Sequence, residues 1–137
     1  MDAQGLSPVI LGSSDKMNVG DSVVAIGNPL GTLGGTVTSG IVSALSRTIT
    51  VDGQKMTLMQ TNTTINPGNS GGGLFNMSGE LVGVVNAKSS GTGSEGLGFA
   101  IPSNDAYSVA SKIIEKGGDV TNTASVKIGI TTVNIFT

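Results

Sequence analysis

The run best suited to chemistry in this sequence is a serine framed by glycines, Gly68-Asn69-Ser70-Gly71-Gly72. A serine that attacks an acyl carbon needs an exposed hydroxyl and backbone N–H groups aimed at the charge that develops on the carbonyl oxygen. Flanking glycines permit positive φ and let a substrate backbone approach closely. The N–H groups of Gly68 and Ser70, with Asn69 between them, form the natural pair of donors to that oxyanion, and one such donor is typically worth ~2.7–4 kcal/mol of transition-state stabilisation. Taken alone, the string also suits a hairpin turn with a chance serine, because 22 of the 137 residues are glycine.

The composition withholds the proton acceptor that this chemistry requires. There is no histidine and no cysteine, which removes the commonest general base, the imidazole and thiolate metal ligands and any disulfide framework. No cofactor and no metal are expected. Lys88 raises the possibility of a Ser–Lys pair, a known way to dispense with histidine, against the commoner reading of an exposed strand lysine. Residues 27–35 have the glycine content of a phosphate loop, but no Gly-Lys-Ser/Thr follows and the next segment is strand-like. Asn62-Thr63-Thr64 and Asn76-Met77-Ser78 match the glycosylation triplet, a pattern that arises often by chance. Net charge is −2, 12% of residues are charged, and the seven basic residues are scattered from Lys16 to Lys127, so nucleic acid is not an expected partner. No apolar stretch approaches the ~20 residues of a membrane helix, and Met1-Asp2-Ala3-Gln4-Gly5 lacks the basic start and apolar run of a signal peptide.

The elements that must position Ser70 are mostly short strands. Ser22-Val23-Val24-Ala25-Ile26-Gly27 is a strand closed by the turn signal Asn28-Pro29. Residues 36–45 read as a longer β segment bent at Gly40. Residues 48–51 and 56–59 flank Asp52-Gly53, a strong hairpin signal. A second hairpin pairs 73–75 with 80–86 across Asn76-Met77-Ser78-Gly79, residues 89–96 form a surface loop, and 97–101 is a last strand ending at Pro102. Six or so strands at this spacing favour a small antiparallel barrel or sandwich. With 3% aromatic residues, its core must be built from Val, Ile, Leu, Met and Ala, and Met17, Met56 and Met59 are expected to fill gaps in it. A helix spans 103–117: Ser103 is its expected N-cap, Ala106, Val109, Ala110, Ile113 and Ile114 share one face, and Gly117-Gly118 ends it. Residues 120–125 read as a polar linker, followed by a strand at 126–130.

Several runs together resemble the HtrA/DegP family of trypsin-like serine proteases. They are Asp15-Lys16-Met17-Asn18-Val19-Gly20-Asp21 with Val24-Ala25-Ile26-Gly27-Asn28-Pro29-Leu30-Gly31, then Gly35-Thr36-Val37-Thr38-Ser39-Gly40-Ile41-Val42-Ser43. Gln60-Thr61-Asn62-Thr63-Thr64-Ile65-Asn66-Pro67-Gly68-Asn69-Ser70-Gly71-Gly72 and Gly98-Phe99-Ala100-Ile101-Pro102-Ser103 complete the set, in the family's order and spacing. The resemblance covers Leu11 to Gly117. It implies an all-β fold: a trypsin-like six-stranded antiparallel β-barrel, the second of the two barrels between which such proteases place their active site, plus one C-terminal α-helix. It also implies that Ser70 is the nucleophile, that Gly68, Asn69 and Ser70 form the oxyanion hole, and that Thr64 and Ile65 are the wall and base of the primary specificity pocket. Val85-Asn86-Ala87-Lys88 resembles the strand edge that binds substrate by β-augmentation. The uncharged pocket positions Thr64 and Ile65 favour small or medium aliphatic side chains at the cleavage position. Two departures are Asn62, where the family usually has Asp, and Gly73, where Pro or Ala is common. Asn69 is neutral, so a zymogen switch based on pairing with a freed N-terminal amine is not expected.

In the resembled family the triad histidine and aspartate belong to the first barrel, whose sequence would lie before Met1. The expected organisation is therefore the C-terminal half of a protease domain at 1–118, with 119–137 as a linker and the start of a truncated PDZ domain, because Ile128-Gly129-Ile130 resembles that domain's entry. The implied function is serine-type endopeptidase activity in protein quality control, with this chain inactive by itself. Implied partners are unfolded or extended polypeptide, the missing first barrel and further copies of the chain, since an apolar face left by that barrel tends to drive association. Location at the cell envelope or outside the cell, with a membrane anchor in the full-length protein, follows from the resemblance alone. The alternative is a non-catalytic polypeptide-binding β-barrel module, or a half-barrel of purely architectural interest. The retained Ser70 favours the enzyme, since a mere binder has no need of that oxygen.

Overall fold

A computed structural model describes residues 4–28, 35–51, 53–66, 68–86 and 97–117. It contains strands β1 (Ser22–Gly27), β2 (Thr36–Val51), β3 (Gln54–Thr61), β4 (Gly73–Asn76), β5 (Leu81–Asn86) and β6 (Gly98–Pro102), and one helix, α1 (Ser103–Lys116). The strands close into a barrel in the order β1-β2-β3-β6-β5-β4, with every neighbouring pair antiparallel and β4 returning to β1. Closure removes the exposed edges that an open sheet of this size would present. The expected six-stranded β-barrel with a C-terminal helix is the observed architecture.

Alternation decides which side chains fill it. Along β1, Val23, Ala25 and Gly27 point inward while Ser22 and Ile26 are exposed, the period-two pattern of a half-buried strand. Val23, Ala25, Val42, Leu74, Val82 and Ala100 are fully buried, and Met17, Met59 and Val85 complete this cluster. Small and β-branched residues dominate because a narrow six-stranded barrel has little interior volume. A second cluster of Leu58, Phe99 and Ile101 lies under the helix, with Met56 and Ala106 packed on it.

Two details differ from the sequence reading. Residues 36–51 form one continuous strand, not two, with register shifts against β3 between Val42 and Ala44 and between Ala44 and Arg47. Such irregularities increase local bend and twist. Gly40 is in register with Val23, and its missing side chain serves a close approach: a Cβ there would lie 2.7 Å from the Thr63 amide nitrogen.

The second difference concerns Ser103. It occupies the first turn of α1, Pro102 is the capping position, and no side chain caps the helix from there. The buried Ser103 hydroxyl instead accepts from the Ser14 N–H (3.1 Å) and donates to the Gly12 carbonyl (2.9 Å). A single 3₁₀ turn at Ser14–Lys16 returns the favour, since Ser14 Oγ accepts from the Asn104 N–H at 3.2 Å and Asp15 accepts from Asn104 Nδ2 at 2.7 Å. One of the orphan backbone donors at the helix start, the Asn104 N–H, is thus met by another part of the chain. At the other end Gly117, with φ +67°, closes a left-handed cap onto the Ile113 and Ile114 carbonyls. Only the first half of α1 meets the barrel, because Ala106 joins the core whereas Ile114 is 79% exposed.

Candidate active site

The chain leaves β3 pinned to β2. Thr61 Oγ1 donates to the Ile41 carbonyl (2.8 Å), lies 2.7 Å from Thr63 Oγ1, and accepts from the Thr63 N–H (3.1 Å). Asn62 Oδ1 accepts from the Ile41 N–H at 2.8 Å, and Thr38 Oγ1 donates to the Thr64 carbonyl at 2.9 Å. A neutral amide satisfies the main chain at position 62 as an aspartate would. Thr61 and Thr63 are buried, so this segment is a rigid platform and not a free loop.

Ser70 is displayed by two consecutive turns built on that platform. The Asn69 N–H bonds the Asn66 carbonyl (3.0 Å), and the Gly72 N–H bonds the Asn69 carbonyl (2.9 Å). Gly68 and Gly71 are the third residues of these turns, with φ of +105° and +84°. Positive φ at that position defines a type II-like turn and calls for glycine. The second turn is fastened to β5: the Gly71 N–H bonds the Val85 carbonyl and the Val85 N–H bonds the Gly72 carbonyl, each at 2.8 Å. Ser70 is exposed, while Asn69 beside it is only 1% exposed.

The end of β1 supports the turn from below at van der Waals limits. A Cβ on Gly27 would lie 2.5 Å from Asn69 Oδ1 and 2.8 Å from Asn69 Cα. One on Gly72 would collide with the Ile26 carbonyl oxygen. Gly98, at the start of β6, performs a similar service for Ile65, whose Cγ1 would be 2.7 Å from an added Cβ. The sequence reading gave Gly72 only the general part of a glycine flanking Ser70, and gave Gly27 and Gly98 no part beyond their runs; glycine inside or just before a strand is the signal of close backbone approach that marks them.

Of the site residues named from sequence, Gly68, Asn69 and Ser70 share the serine turn. Thr64 and Ile65 precede it on the same platform, Thr64 exposed and Ile65 half-buried against the barrel core. Val85 differs from the expectation of an open edge: its N–H and carbonyl are both taken by Gly72 and Gly71. Asn86 lies opposite Phe99 in β6 and is half-buried. Ala87 and Lys88, and with them any Ser–Lys pair, lie outside the described residues, as does the segment 119–137. Among the described residues no group of three acidic, histidine or cysteine side chains could hold a metal ion. A surface cavity of about 360 Å³ lined by Lys16, Asp21, Asn76 and Glu80, among others, shares no residue with the serine turn.

This geometry can be set beside known proteins. Residues 1–84 match the trypsin-like peptidase domain family. The chain is 50% identical over 114 residues to the periplasmic pH-dependent serine endoprotease DegQ of Escherichia coli, covering 82% of this chain and 25% of that one. It is 49% identical over 111 residues to the serine protease Do-like HtrB of Bacillus subtilis, covering 77% and 24%. The chain therefore spans about a quarter of the length of these curated relatives. Among solved structures, the HtrA-type protease AlgW with a decapeptide superposes with a TM-score of 0.74 at 44% identity, over 85% of this chain and 36% of that one. AlgW with a tripeptide gives the same TM-score at 43% identity, over 86% and 39%.

Proposed function

The chain belongs to the trypsin-like peptidase family, in its HtrA/DegP branch, and we propose that it supplies the nucleophile and oxyanion site of a serine endopeptidase acting on extended polypeptide. The observation that carries this reading is Ser70 exposed at the crest of two glycine-closed turns, the second of them bonded to β5.

The chemistry follows from that placement. A base takes the Ser70 hydroxyl proton as Oγ bonds the peptide carbonyl carbon, and the carbonyl oxygen becomes an oxyanion held by the Gly68 and Ser70 N–H groups. Collapse breaks the C–N bond, the base returns its proton to the departing amine, and water repeats the sequence on the acyl-serine. With no histidine in the chain, the base comes from polypeptide outside these 137 residues, in the manner of a first barrel. Until it is supplied, Ser70 keeps the high pKa of an alcohol and the chain is inactive.

Thr64 and Ile65 form the specificity pocket and favour aliphatic side chains. Of the residues expected to bind substrate main chain, Val85-Asn86-Ala87-Lys88, Val85 is committed to the serine turn, so the reading rests on those that follow it. The peptide-bound AlgW structures support a polypeptide substrate. Leu6, Val9, Ile10 and Leu11 are all exposed, an apolar stretch suited to covering by the first barrel or a further copy of the chain. Periplasmic relatives support action at the cell envelope; no helix among the described residues is long and apolar enough to cross a membrane. Residues 119–137 are assigned to a linker and the start of a PDZ domain.

A fluorophosphonate probe tests the reading. The full-length protein should be labelled on Ser70, and the 137-residue chain alone should not. Equal labelling of the isolated chain would contradict the need for an external base. Peptide binding by a full-length protein that resists the probe would favour a non-catalytic binding module.

A further inference from the structure

Thr38 occupies a position where the barrel calls for an apolar side chain. On β2 it lies opposite the buried Ala25 of β1, and Gly40 and the buried Val42 follow it on the same face of the strand. Valine has nearly the same shape, favours a strand equally and brings no hydroxyl that needs a partner. The hydroxyl has one use in the structure: Thr38 Oγ1 donates to the Thr64 carbonyl oxygen at 2.9 Å, across 26 residues of chain.

Among the described residues this is the one hydrogen bond that reaches Thr64 or Ile65. The ties on either side stop short of them. Thr61, Asn62 and Thr63 are bonded to Ile41 or to one another, and the Asn66 carbonyl accepts from the Asn69 N–H. Thr64 is exposed, so water would satisfy its carbonyl if the threonine hydroxyl were absent. The bond therefore supplies direction and little stability. What it directs is a peptide plane, because the Thr64 carbonyl and the Ile65 N–H belong to one planar unit. At the other end of that plane the Ile65 side chain is seated against the barrel core and Gly98. One hydroxyl and one packed side chain thus hold the plane between the two residues assigned to the specificity pocket.

We propose that Thr38 is a positioning residue for primary specificity: its hydroxyl fixes the peptide plane joining Thr64 to Ile65, and with it the fit of the pocket they line. This rests on the endopeptidase reading and on the assignment of those two residues to the pocket. It adds a determinant of specificity on a strand that carries no catalytic group. Without the hydroxyl the plane turns its carbonyl toward water, and the pocket loses its fit to a short aliphatic side chain. A larger side chain, less dependent on that fit, loses less.

The full-length protein, Thr38→Val and Thr38→Ser are compared on two extended peptides that differ only in valine or phenylalanine at the cleavage position. Thr38→Val should lower kcat/KM for the valine peptide about 10-fold relative to the phenylalanine peptide, the scale of a methylene-sized change of fit. The loss should fall on KM, with kcat within about twofold, as for an interaction that serves substrate and transition state alike. Thr38→Ser keeps the donor and should keep the wild-type selectivity. Labelling of Ser70 by a small alkyl fluorophosphonate, which does not fill the pocket, should match wild type in both variants. Melting temperatures should move by no more than about 4 °C, the scale of one lost hydrogen bond. If Thr38→Val does not fold, Thr38→Ala, which removes the hydroxyl and adds no bulk, takes its place. Unchanged selectivity in the variant that lacks the hydroxyl would overturn the proposal. So would a Thr38→Ser protein as unselective as Thr38→Val, or selectivity, labelling and melting temperature that fall together. Each of these outcomes leaves the endopeptidase reading standing; a wild type that neither cleaves nor labels overturns both.

Discussion

Alanine at position 70 of the full-length protein is expected to lower peptide hydrolysis by a factor on the order of 10⁶, with unfolding free energy within about 0.5 kcal/mol of wild type. The two halves of this expectation have separate causes. Ser70 is exposed, so losing its hydroxyl empties no core space. The same hydroxyl is the atom that forms the acyl bond, and nothing else in the turn can replace it, because the neighbours are Asn69 and Gly71. Peptide binding should survive, since Thr64, Ile65 and the strand edge remain. Steady-state kinetics on an extended peptide and urea unfolding measure both quantities. Ser78→Ala, on the exposed β4–β5 turn, serves as a control that should change neither. A Ser70→Ala protein that still cleaves at a tenth of the wild-type rate would remove Ser70 from the mechanism.

The second large effect concerns Gly72→Ala. The added Cβ would collide with the Ile26 carbonyl oxygen and lie 2.9 Å from the Asn69 oxygen and 3.2 Å from Gly27 Cα. All three obstacles are main chain, so no rotamer change relieves them. The serine turn must move away from β1, straining the Gly72 N–H bond to Asn69 and the Val85 N–H bond to Gly72. Overpacking of this kind costs about 1–3 kcal/mol, occasionally more, and a lost hydrogen bond adds about 1 kcal/mol. A total of about 2–4 kcal/mol is expected in urea unfolding, together with a roughly 100-fold loss in Ser70 labelling. Gly53→Ala makes the informative contrast: φ is +77° there and a Cβ would meet nothing. It should cost about 1–2 kcal/mol in left-handed strain and leave labelling unchanged. Equal labelling by Gly72→Ala and wild type would show that the turn does not depend on β1 for its position.

Much of the barrel was legible because period-two alternation and turn residues are local signals. The first strand is the observed β1, and Gly53 does turn the β2–β3 hairpin. The errors all involve partners distant in sequence. Ser103 looks like a helix cap by type and position, but its hydroxyl serves Gly12 and Ser14, about ninety residues away. Gly40 looks like a bend, yet it is glycine because Asn62 and Thr63 cross it. Val85 looks like part of an open edge because the sequence does not carry the register of β5 against the serine turn. The candidate site itself was legible through the residue types that turn geometry demands: positive φ at Gly68 and Gly71 leaves little choice of residue. Asn69 shows the limit, since its burial and its amide's lack of a partner among the described residues are properties of packing, and no pattern of neighbours announces them.

The central claim is that Ser70 and the amides of its turn hold the charge of an acyl-transfer transition state. A crystal structure of the full-length protein with a peptide boronate bound tests this most directly. The expected result is a bond from boron to Ser70 Oγ, with one boronate oxygen about 2.7–3.1 Å from both the Gly68 and Ser70 nitrogens. A boronate attached elsewhere, or one on Ser70 whose oxygens face solvent while those two N–H groups point away, would contradict it.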